Sequence, residues 1–414
     1  MSVFRAKWLL PIERPPIENG AVAVRDGRIV EIGPAQHIAS HDAAEDLGDC
    51  ILLPGMVNAH AHLELGCFHG RIAPTRLWDW LDALIRLSRE PDAEARMKQA
   101  VAEGAAASLA AGVTSVADIS RTGLNVPILA ASPIRKVCFL ELISGARQEP
   151  NAIDSLESAF ERCRRMEQPD RLRVGLSPHS LYNVAPDDLS GTARLATSCR
   201  APVTMHVLET LDEVDWLRGA GGKVEAFAAK YHPATTRPGG QSALELLEGA
   251  GVLATGPLLS HVNYVDMPQL ERLAESRASV VWCPRTHRFF GHSRHPWQEM
   301  LSAGLNVCLG TDSLASAPSL SILDEIRFLC QTSPEVSPSL LLALATLNGA
   351  KAMGMAHRIG SLRPGKYADL VAVPWESSAP DDPASNLLNG RQSPCRVWIE
   401  GCEVFPRPHS PKVC

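Results

Sequence analysis

The chain has 414 residues, of which 45% are hydrophobic and 21% are charged, and its formal net charge is −6. This length exceeds what one hydrophobic core usually supports, and the composition is ordinary for a globular enzyme. The negative charge argues against nucleic acid or an anionic membrane surface as a partner. We therefore expect a small-molecule substrate, with no nucleic acid and no membrane as partners.

The cysteines and the first residues of the chain bear on its location. The 11 cysteines are scattered, odd in number and without a C-x-x-C pair, which disfavours a disulfide framework and a cysteine-ligated zinc site. The first 20 residues lack the pattern of a secretory signal, and no uninterrupted apolar stretch reaches the ~18 residues of a membrane span. We expect a cytoplasmic protein. The sequence leaves a homodimer and a monomer open.

Both ends of the chain have the pattern of β-structure. The strands predicted there are Ala21–Val24, Arg28–Ile32, Ala368–Val373, Arg396–Ile399 and Glu403–Phe405. Asp26 and Gly27, between the first two, suit a type I′ hairpin turn. Isolated hairpins are only marginally stable. We therefore predict that residues 1–55 and 362–414 pair into one small β-sandwich domain.

Between these ends, short apolar runs alternate with longer amphipathic stretches. The apolar runs are Gly55–Ala59, Val113–Ala117, Lys136–Ile143, Leu172–Leu176, Pro202–Val207, Leu258–Val262, Ser279–Cys283 and Leu305–Leu309. The stretches with helical spacing include Arg96–Ala111, Asp154–Met166 and Met267–Ser276. This α/β alternation predicts a (β/α)₈ TIM barrel over residues 56–361. A doubly wound open sheet is the alternative, because periodicity alone does not establish closure.

The first chemically active pattern is His60-Ala61-His62, at the end of the first predicted barrel strand. Residues two apart on a strand point to the same face, so both imidazoles can reach one point. Imidazole is a ligand for zinc, iron and nickel. Taken alone, the pair could equally be two incidental histidines at a strand end.

Further candidates follow the later strands. His206 ends the fifth strand with Glu209 three residues on, His261 ends the sixth, and Asp312 follows the eighth. Each has an ordinary explanation by itself: a surface glutamate, a core histidine or a helix N-cap aspartate. Together they occupy the carboxyl ends of parallel strands, which is the face where a TIM barrel holds its active site. This clustering favours the barrel over the open sheet.

The order of these motifs resembles the amidohydrolase superfamily. That order is H-x-H, then a His with Glu three residues later, then a His, then Gly310-Thr311-Asp312-Ser313. The segments 345–352 (ATLNGAKA), 360–362 (GSL) and 364–370 (PGKYADL) are similar to the family's C-terminal signature. The resemblance covers nearly the whole chain and implies the barrel with a β-domain built from both ends.

The resemblance also implies one divalent metal ion, with zinc expected and iron(II) as the alternative. Branches with two metals carry a carboxylated lysine at a middle strand end, where this chain has none, because Lys136 opens its strand instead. The H-x-x-E placement looks like the mononuclear aminohydrolase branch of deaminases and triazine hydrolases. Residue by residue, that branch implies the metal ligands His60, His62, His206 and Asp312. It further implies proton transfer by Glu209 and a nucleophile oriented by His261. In the mechanism that we expect, Asp312 also accepts the proton of the attacking water.

Other residues at the same barrel face are candidate substrate contacts. Glu64, in His-Leu-Glu, together with residues 283–292 (CPRTHRFFGH) resembles the aminodeoxyfutalosine deaminase branch. Arg147 and His179 resemble substrate contacts in nucleoside-processing aminohydrolases, and Trp78 could stack on a flat ring. The alternatives are a structural hydrogen-bond acceptor for Glu64, core packing for Trp78 and solvated loop positions for the other two.

The function that we expect is hydrolytic deamination of an aminated heterocycle. An aminopurine nucleoside, such as an adenosine derivative or aminodeoxyfutalosine, is the expected substrate class, with ammonia as a product. Two alternatives remain. One is hydrolysis of a cyclic amide or a halogenated triazine on the same scaffold, and the other is a non-catalytic relative that serves in assembly.

Overall fold

The structure, a computed structural model, describes residues 1–38, 44–144, 152–232 and 239–406. The strands are β1 (Ser2–Leu9), β2 (Ile17–Arg25), β3 (Arg28–Pro34), β4 (Glu45–Asp46), β5 (Cys50–Pro54), β6 (Met56–Ala61), β7 (Val113–Ser120), β8 (Arg135–Leu142), β9 (Leu172–Pro178), β10 (Thr204–Val207), β11 (Leu258–His261), β12 (Ser279–Trp282), β13 (Asn306–Leu309), β14 (Leu370–Pro374), β15 (Arg396–Ile399) and β16 (Cys402–Phe405). The helices are α1 (Leu77–Leu87), α2 (Ala93–Ala110), α3 (Asn125–Ala130), α4 (Ala152–Arg164), α5 (Pro186–Cys199), α6 (Leu211–Leu217), α7 (Lys223–Tyr231), α8 (Ala243–Gly249), α9 (Met267–Glu275), α10 (Pro284–Phe289), α11 (Trp297–Ser302), α12 (Ile322–Thr332), α13 (Pro338–Ala345), α14 (Leu347–Ala352) and α15 (Pro383–Asn389).

Strands from both ends of the chain share one sheet. Its order is β16-β15-β14-β5-β1-β2-β3, with β4 beside β1. The two ends meet where β14 pairs antiparallel with β5, Leu370 opposite Pro54. Asp26 and Gly27 have φ angles of 52° and 73°, the left-handed values that a type I′ turn requires. Apolar side chains from both ends fill one core, including Leu9, Val22, Leu52, Leu370 and Trp398.

The central strands form two parallel four-stranded sheets, β6-β7-β8-β9 and β10-β11-β12-β13. Each of the eight apolar runs singled out in the sequence overlaps one of these strands. Two isolated parallel bridges join the sheets, one between Leu176 and Val203 and the other between Ala61 and Asp312. Every residue of β6 and β7 is buried, as expected for parallel strands covered on both faces.

The helices of this central region separate successive strands and cover the sheets. Among the residues that the structure describes, no helix combines the length and the apolar character that a membrane span needs. The carboxyl ends of the parallel strands carry the side chains considered next.

Candidate metal centre and active site

Four side chains predicted as metal ligands converge at the carboxyl ends of three strands. His60 lies on β6 and His62 directly after it, His206 lies on β10, and Asp312 follows β13. Nε2 of His62 lies 3.3 Å from Nε2 of His206. Oδ1 of Asp312 lies 3.8 Å from Nε2 of His60 and 3.9 Å from Nε2 of His62. All four residues are buried.

A close approach of two backbone segments places Asp312 beside the histidines. At Gly310, a Cβ atom would lie 2.7 Å from Cβ of His60 and 2.8 Å from its carbonyl oxygen, so a side chain there would push the segments apart. The amides of Thr311 and Asp312 both donate to the carbonyl of His60, at 3.1 and 3.0 Å. Asp312 itself has a φ of 59°, which turns its carboxylate towards the imidazoles.

The contacts of the imidazoles show which nitrogens are directed at the centre. Nδ1 of His206 contacts the carbonyl oxygen of His179 at 3.3 Å, so Nδ1 carries the proton and Nε2 keeps its lone pair. Nδ1 of His60 bonds the hydroxyl of Ser260 at 2.8 Å. Nε2 of His60 is buried and has no partner among the described residues. Burial also lowers the pKa of His60 and His62 well below the usual value, so both rings are neutral.

This donor set fits one divalent ion. Two ligands bound ~2.0–2.1 Å from a tetrahedral zinc ion lie roughly 3.3 Å apart, and the Nε2 atoms of His62 and His206 are separated by that distance. Unprotonated Nε2 atoms at this separation would repel unless a cation lay between them. The ammonium of Lys136 is at the other end of β8, where it donates to the carbonyls of Ser132 and Ile134. It therefore cannot serve as a bridging ligand for a second ion at this face.

Glu209 lies next to this centre and is held by its own loop. Its Oε1 lies 3.7 Å from Nε2 of His261. The amides of Leu208 and Glu209 donate to the carboxylate of Glu213, at 3.1 and 2.9 Å, and the side-chain amide of Asn263 donates to the carbonyl of Glu209 at 2.9 Å. Burial, together with the charges of Asp312 and Glu213, raises the pKa of Glu209 well above the usual value. A protonated Glu209 can act as a general acid.

His261 is beside the same imidazoles, with its ring 5.3 Å from that of His60 and 5.4 Å from that of His206. Nε2 of His295 donates to its carbonyl oxygen at 2.7 Å. The ligand nitrogens of His60, His206 and His261 lie within 4.8 Å of one another. The geometry therefore brings His261 to the centre and is compatible both with orienting a nucleophile and with binding the ion.

The predicted substrate contacts differ in their surroundings. The ring of His179 stacks on that of His206 with a centroid distance of 4.5 Å, so His179 adjoins the centre. Glu64 is buried, and its two oxygens accept from the hydroxyl of Ser120 at 2.6 Å and the amide of Arg121 at 3.3 Å. That arrangement matches the structural alternative, and a substrate contact by Glu64 stays a prediction.

Trp78 and Arg147 complete the set of predicted contacts. Trp78 is buried and its Nε1 donates to Asp212 at 2.8 Å. Its ring meets Tyr182 edge-on at 5.1 Å and Phe227 at 5.4 Å, so the indole is part of a packed aromatic cluster. Stacking of Trp78 on a substrate ring stays a prediction. Arg147 lies outside the described residues.

Several positioning residues were not identified from the sequence. Glu213 follows Thr210 in a T-x-x-E capping pattern, and the hydroxyl of Thr210 does accept from the amide of Glu213. The carboxylate, however, bonds the amides of the preceding loop, which the pattern does not predict. Ser260 and Asn263 flank His261 in the motif LSHVN, but nothing in that motif indicates which side chains they contact.

The chain is similar over most of its length to proteins of known activity. The model of the amidohydrolase family matches residues 51–403. A 5-methylthioadenosine/S-adenosylhomocysteine deaminase of Saccharophagus degradans is 28% identical, over 98% of this chain and 92% of its own length. An aminodeoxyfutalosine deaminase of Deinococcus radiodurans is 27% identical, over 79% of this chain and 81% of its own. The crystal structure of Helicobacter pylori aminofutalosine deaminase with methylthio-coformycin superposes with a TM-score of 0.87 at 24% identity, covering 98% of this chain and 100% of that one. The family resemblance predicted from the motifs is thereby confirmed.

Proposed function

Because the chain belongs to the amidohydrolase family, we propose that it is a metal-dependent hydrolytic deaminase of an aminopurine nucleoside or a related aminated heterocycle. The observation that carries this proposal is the convergence of His60, His62, His206 and Asp312 beside a buried Glu209. Relatives named for the deamination of methylthioadenosine, S-adenosylhomocysteine and aminodeoxyfutalosine support the substrate class.

We propose that His60, His62, His206 and Asp312 hold one divalent ion, with zinc favoured because the donors are three imidazoles and one carboxylate. When bound, such an ion supplies Lewis acidity and lowers the pKa of water, so that a nucleophile is available at neutral pH. The protein's own part is to present neutral imidazoles with their lone pairs converging.

The proton transfers are assigned to the two carboxyl groups. Glu209, protonated because it is buried, donates from its carboxyl to a ring nitrogen of the substrate. Asp312 directs Oδ1 to the imidazoles, while its Oδ2 accepts from the hydroxyl of Ser316 at 3.2 Å, and its carboxylate accepts the proton of the attacking water. His261, through Nε2, orients that water. The carbon gains an oxygen, and the amino group leaves as ammonia.

The architecture proposed for this function is a closed barrel. The bridges at both sheet edges, between Leu176 and Val203 and between Ala61 and Asp312, support closure of residues 56–361 into a (β/α)₈ barrel. Residues 1–55 and 362–414 would then form one composite β-domain, and its layering as a sandwich remains a prediction. A cytoplasmic location also remains a prediction, and the choice between a homodimer and a monomer stays open.

The test measures ammonia release and metal content in parallel. Purified protein is assayed with adenosine, 5′-methylthioadenosine, S-adenosylhomocysteine, aminodeoxyfutalosine, guanine and cytosine. Glu209→Gln should keep its metal and lose about 10²- to 10⁴-fold in turnover, because the amide cannot donate the proton. Asp312→Asn should lose both metal and turnover, because a ligand charge disappears with the proton acceptor. The exposed Glu157 on α4 provides a control, and Glu157→Gln should match the wild type.

Three results would contradict the proposal. Wild-type protein that contains no metal, and that added zinc, iron or manganese does not activate, would remove the proposed centre. Release of chloride from a halogenated triazine, without ammonia from any aminated substrate, would favour the alternative hydrolase. Turnover by Glu209→Gln close to that of the wild type would exclude its role in proton transfer.

A further inference from the structure

Glu141 and His179 face each other beside the metal ligands. Glu141 is the penultimate residue of β8 and His179 directly follows β9. The two strands pair in parallel with Glu141 opposite Ser177, and the amide of His179 donates to the carbonyl of Leu142 at 3.0 Å. As a result, Oε1 of Glu141 lies 3.9 Å from Nε2 of His179. This separation is too long for a direct hydrogen bond.

The neighbours of His179 determine which of its nitrogens carries the proton. The amide and hydroxyl of Ser180 both contact Oδ1 of Asn183, at 3.1 and 2.8 Å. A backbone amide can only donate, so that atom of Asn183 is the oxygen and its Nδ2 is the donor to Nδ1 of His179, at 3.0 Å. Nδ1 of a neutral His179 is therefore an acceptor, and its Nε2 carries the proton. His179 presents a donor towards Glu141.

Glu141 presents an acceptor, its Oε1 atom, that no described residue uses. Its side chain is only 9% exposed, and Oε1 is buried with no hydrogen-bond partner among the described residues. Glu64, a second buried carboxylate at this end of the fold, differs because Ser120 and Arg121 bond both of its oxygens. A buried acceptor without a partner is unfavourable unless a ligand or an ordered water supplies the donor.

This donor and acceptor pair adjoins the reaction centre. The ring of His179 stacks on His206 at 4.5 Å, and on another side the ring of Tyr182 lies 5.9 Å away, edge-on. A substrate whose reacting carbon is near His206 would therefore have further polar atoms within reach of Glu141. A hydroxyl on the substrate fits this pair, because its oxygen can accept from Nε2–H while its proton is donated to Glu141.

We propose that Glu141 and His179 together bind a hydroxyl group on the sugar of a nucleoside substrate. The hydroxyl oxygen accepts from Nε2–H of His179, and its proton is donated to Oε1 of Glu141. Glu141 thereby becomes a specificity-determining residue, extending the substrate contact that the sequence predicts for His179. The inference rests on the proposed function, because it takes a nucleoside as the substrate.

A second cation is the competing occupant of this place. One ligand atom each from Glu141, His179 and His206 lie within 4.8 Å of one another. The proton on Nε2 of His179 disfavours this occupant, because a protonated nitrogen has no lone pair for a metal. Nε2 of His206 is also already directed at His62.

The test compares adenosine with 2′-deoxyadenosine, 3′-deoxyadenosine and 5′-deoxyadenosine, in the wild type, Glu141→Leu and the surface control Glu157→Leu. Steady-state ammonia release gives kcat/KM, calorimetry gives Kd, and elemental analysis gives the metal content. The wild type should discriminate against one deoxynucleoside by about 10- to 100-fold, because loss of the hydroxyl leaves the donor of His179 and the acceptor of Glu141 buried and unpaired. Glu141→Leu removes the acceptor, which an amide would keep, so it should lose activity on adenosine by a similar factor while losing little on that deoxynucleoside. Glu157→Leu should keep the discrimination of the wild type.

Three other outcomes would contradict the hydroxyl contact, and a fourth would also contradict the nucleoside substrate. Equal losses by Glu141→Leu on adenosine and on all three deoxynucleosides would overturn the hydroxyl contact while leaving the deaminase function intact. The same holds if the wild type shows no discrimination, or if it contains two metal ions and Glu141→Leu contains one. Wild-type protein that neither binds nor deaminates any of these nucleosides, but contains its metal and hydrolyses another aminated ring, would overturn both the nucleoside substrate and the role of Glu141.

Discussion

A buried ion pair connects the amino end of β8 to the terminal sheet. The side chain of Arg135 is 0% exposed and that of Asp369 3%. Nε of Arg135 donates to Oδ2 of Asp369 at 2.6 Å, and Nη2 donates to Oδ1 at 3.0 Å. Nη2 also donates to Glu400 at 2.9 Å, and Nη1 donates to the carbonyl of Asp170 at 2.8 Å. The guanidinium lies over the ring of Tyr367, 4.0 Å from its centroid.

We expect Arg135→Met to lower the free energy of unfolding by about 3–5 kcal/mol, because it leaves the carboxylate of Asp369 buried without its cation. The matched control is Arg5→Met, which breaks the exposed pair between Arg5 and Asp46, 3.7 Å apart with side chains 47% and 59% exposed. That change should cost less than about 1 kcal/mol. Denaturant unfolding followed by tryptophan fluorescence, with metal saturating, measures both.

A double-variant cycle separates the ion pair from packing. Asp369→Asn keeps an acceptor for the amide of Glu400, which donates to Oδ1 of Asp369 at 3.0 Å, and removes only the charge. The variant that combines Arg135→Met with Asp369→Asn should be less destabilised than the sum of the two single changes, by about 0.5–3 kcal/mol. Strict additivity, or an Arg135→Met variant as stable as Arg5→Met, would refute the argument that this pair joins the terminal sheet to β8.

Three further predictions concern the metal, the close backbone approach and a buried carboxylate. Removing the ion with a chelator should lower the denaturant midpoint of unfolding. Restoring zinc at 1,000 times its Kd should raise the free energy of unfolding by about 4 kcal/mol. An unchanged midpoint would contradict the proposed metal centre. Gly310→Ala, whose Cβ would lie 2.7 Å from that of His60, should reduce metal affinity measured by competition with a chromophoric chelator, whereas the exposed Gly239→Ala should not. Burial raises the pKa of Asp118 from 3.8 to about 8, so the wild type loses stability from this group as pH rises between those values. The stability of Asp118→Asn relative to the wild type should therefore increase by roughly 1.4 kcal/mol per pH unit from pH 5 to pH 7, and a difference independent of pH would contradict the raised pKa.

The strands and the metal ligands could be predicted from the sequence because both depend on local patterns. A parallel strand buried on both faces is a short continuous apolar run, and each of the eight runs overlaps a strand. The two-residue period of a strand places His60 and His62 on the same face of the strand, independently of any contact with distant segments. Asp312 was identifiable because it follows such a run directly, in a motif shared with a known family.

The surroundings of the ligands could not be predicted in the same way, because they depend on contacts between distant segments. Ser260 bonds His60 across 200 positions of sequence, and its own motif indicates only that it lies on a strand. No motif in the sequence indicates a role for Glu141. Its buried, unpaired oxygen becomes apparent only when β8 and β9 are paired in register. Trp78 was open to two interpretations because an indole packs on protein rings and on substrate rings by the same forces.

Backbone conformation at the strand ends explains why the site needs so many long-range contacts. Leu208, His261, Val262 and Asp312 have φ angles of 52°, 71°, 50° and 59°, a region that is rare for residues with a side chain and rarest for β-branched ones. Such conformations persist only where the surroundings over-determine them. Here the amide of Val262 donates to the carbonyls of Val207 and Ser260. The amide of Asp312 donates to the carbonyl of His60. These strained turns also place the side chains of His261 and Asp312 close to that of His60. The hydrogen bonds that stabilise the backbone there therefore fix the positions of the reacting groups as well.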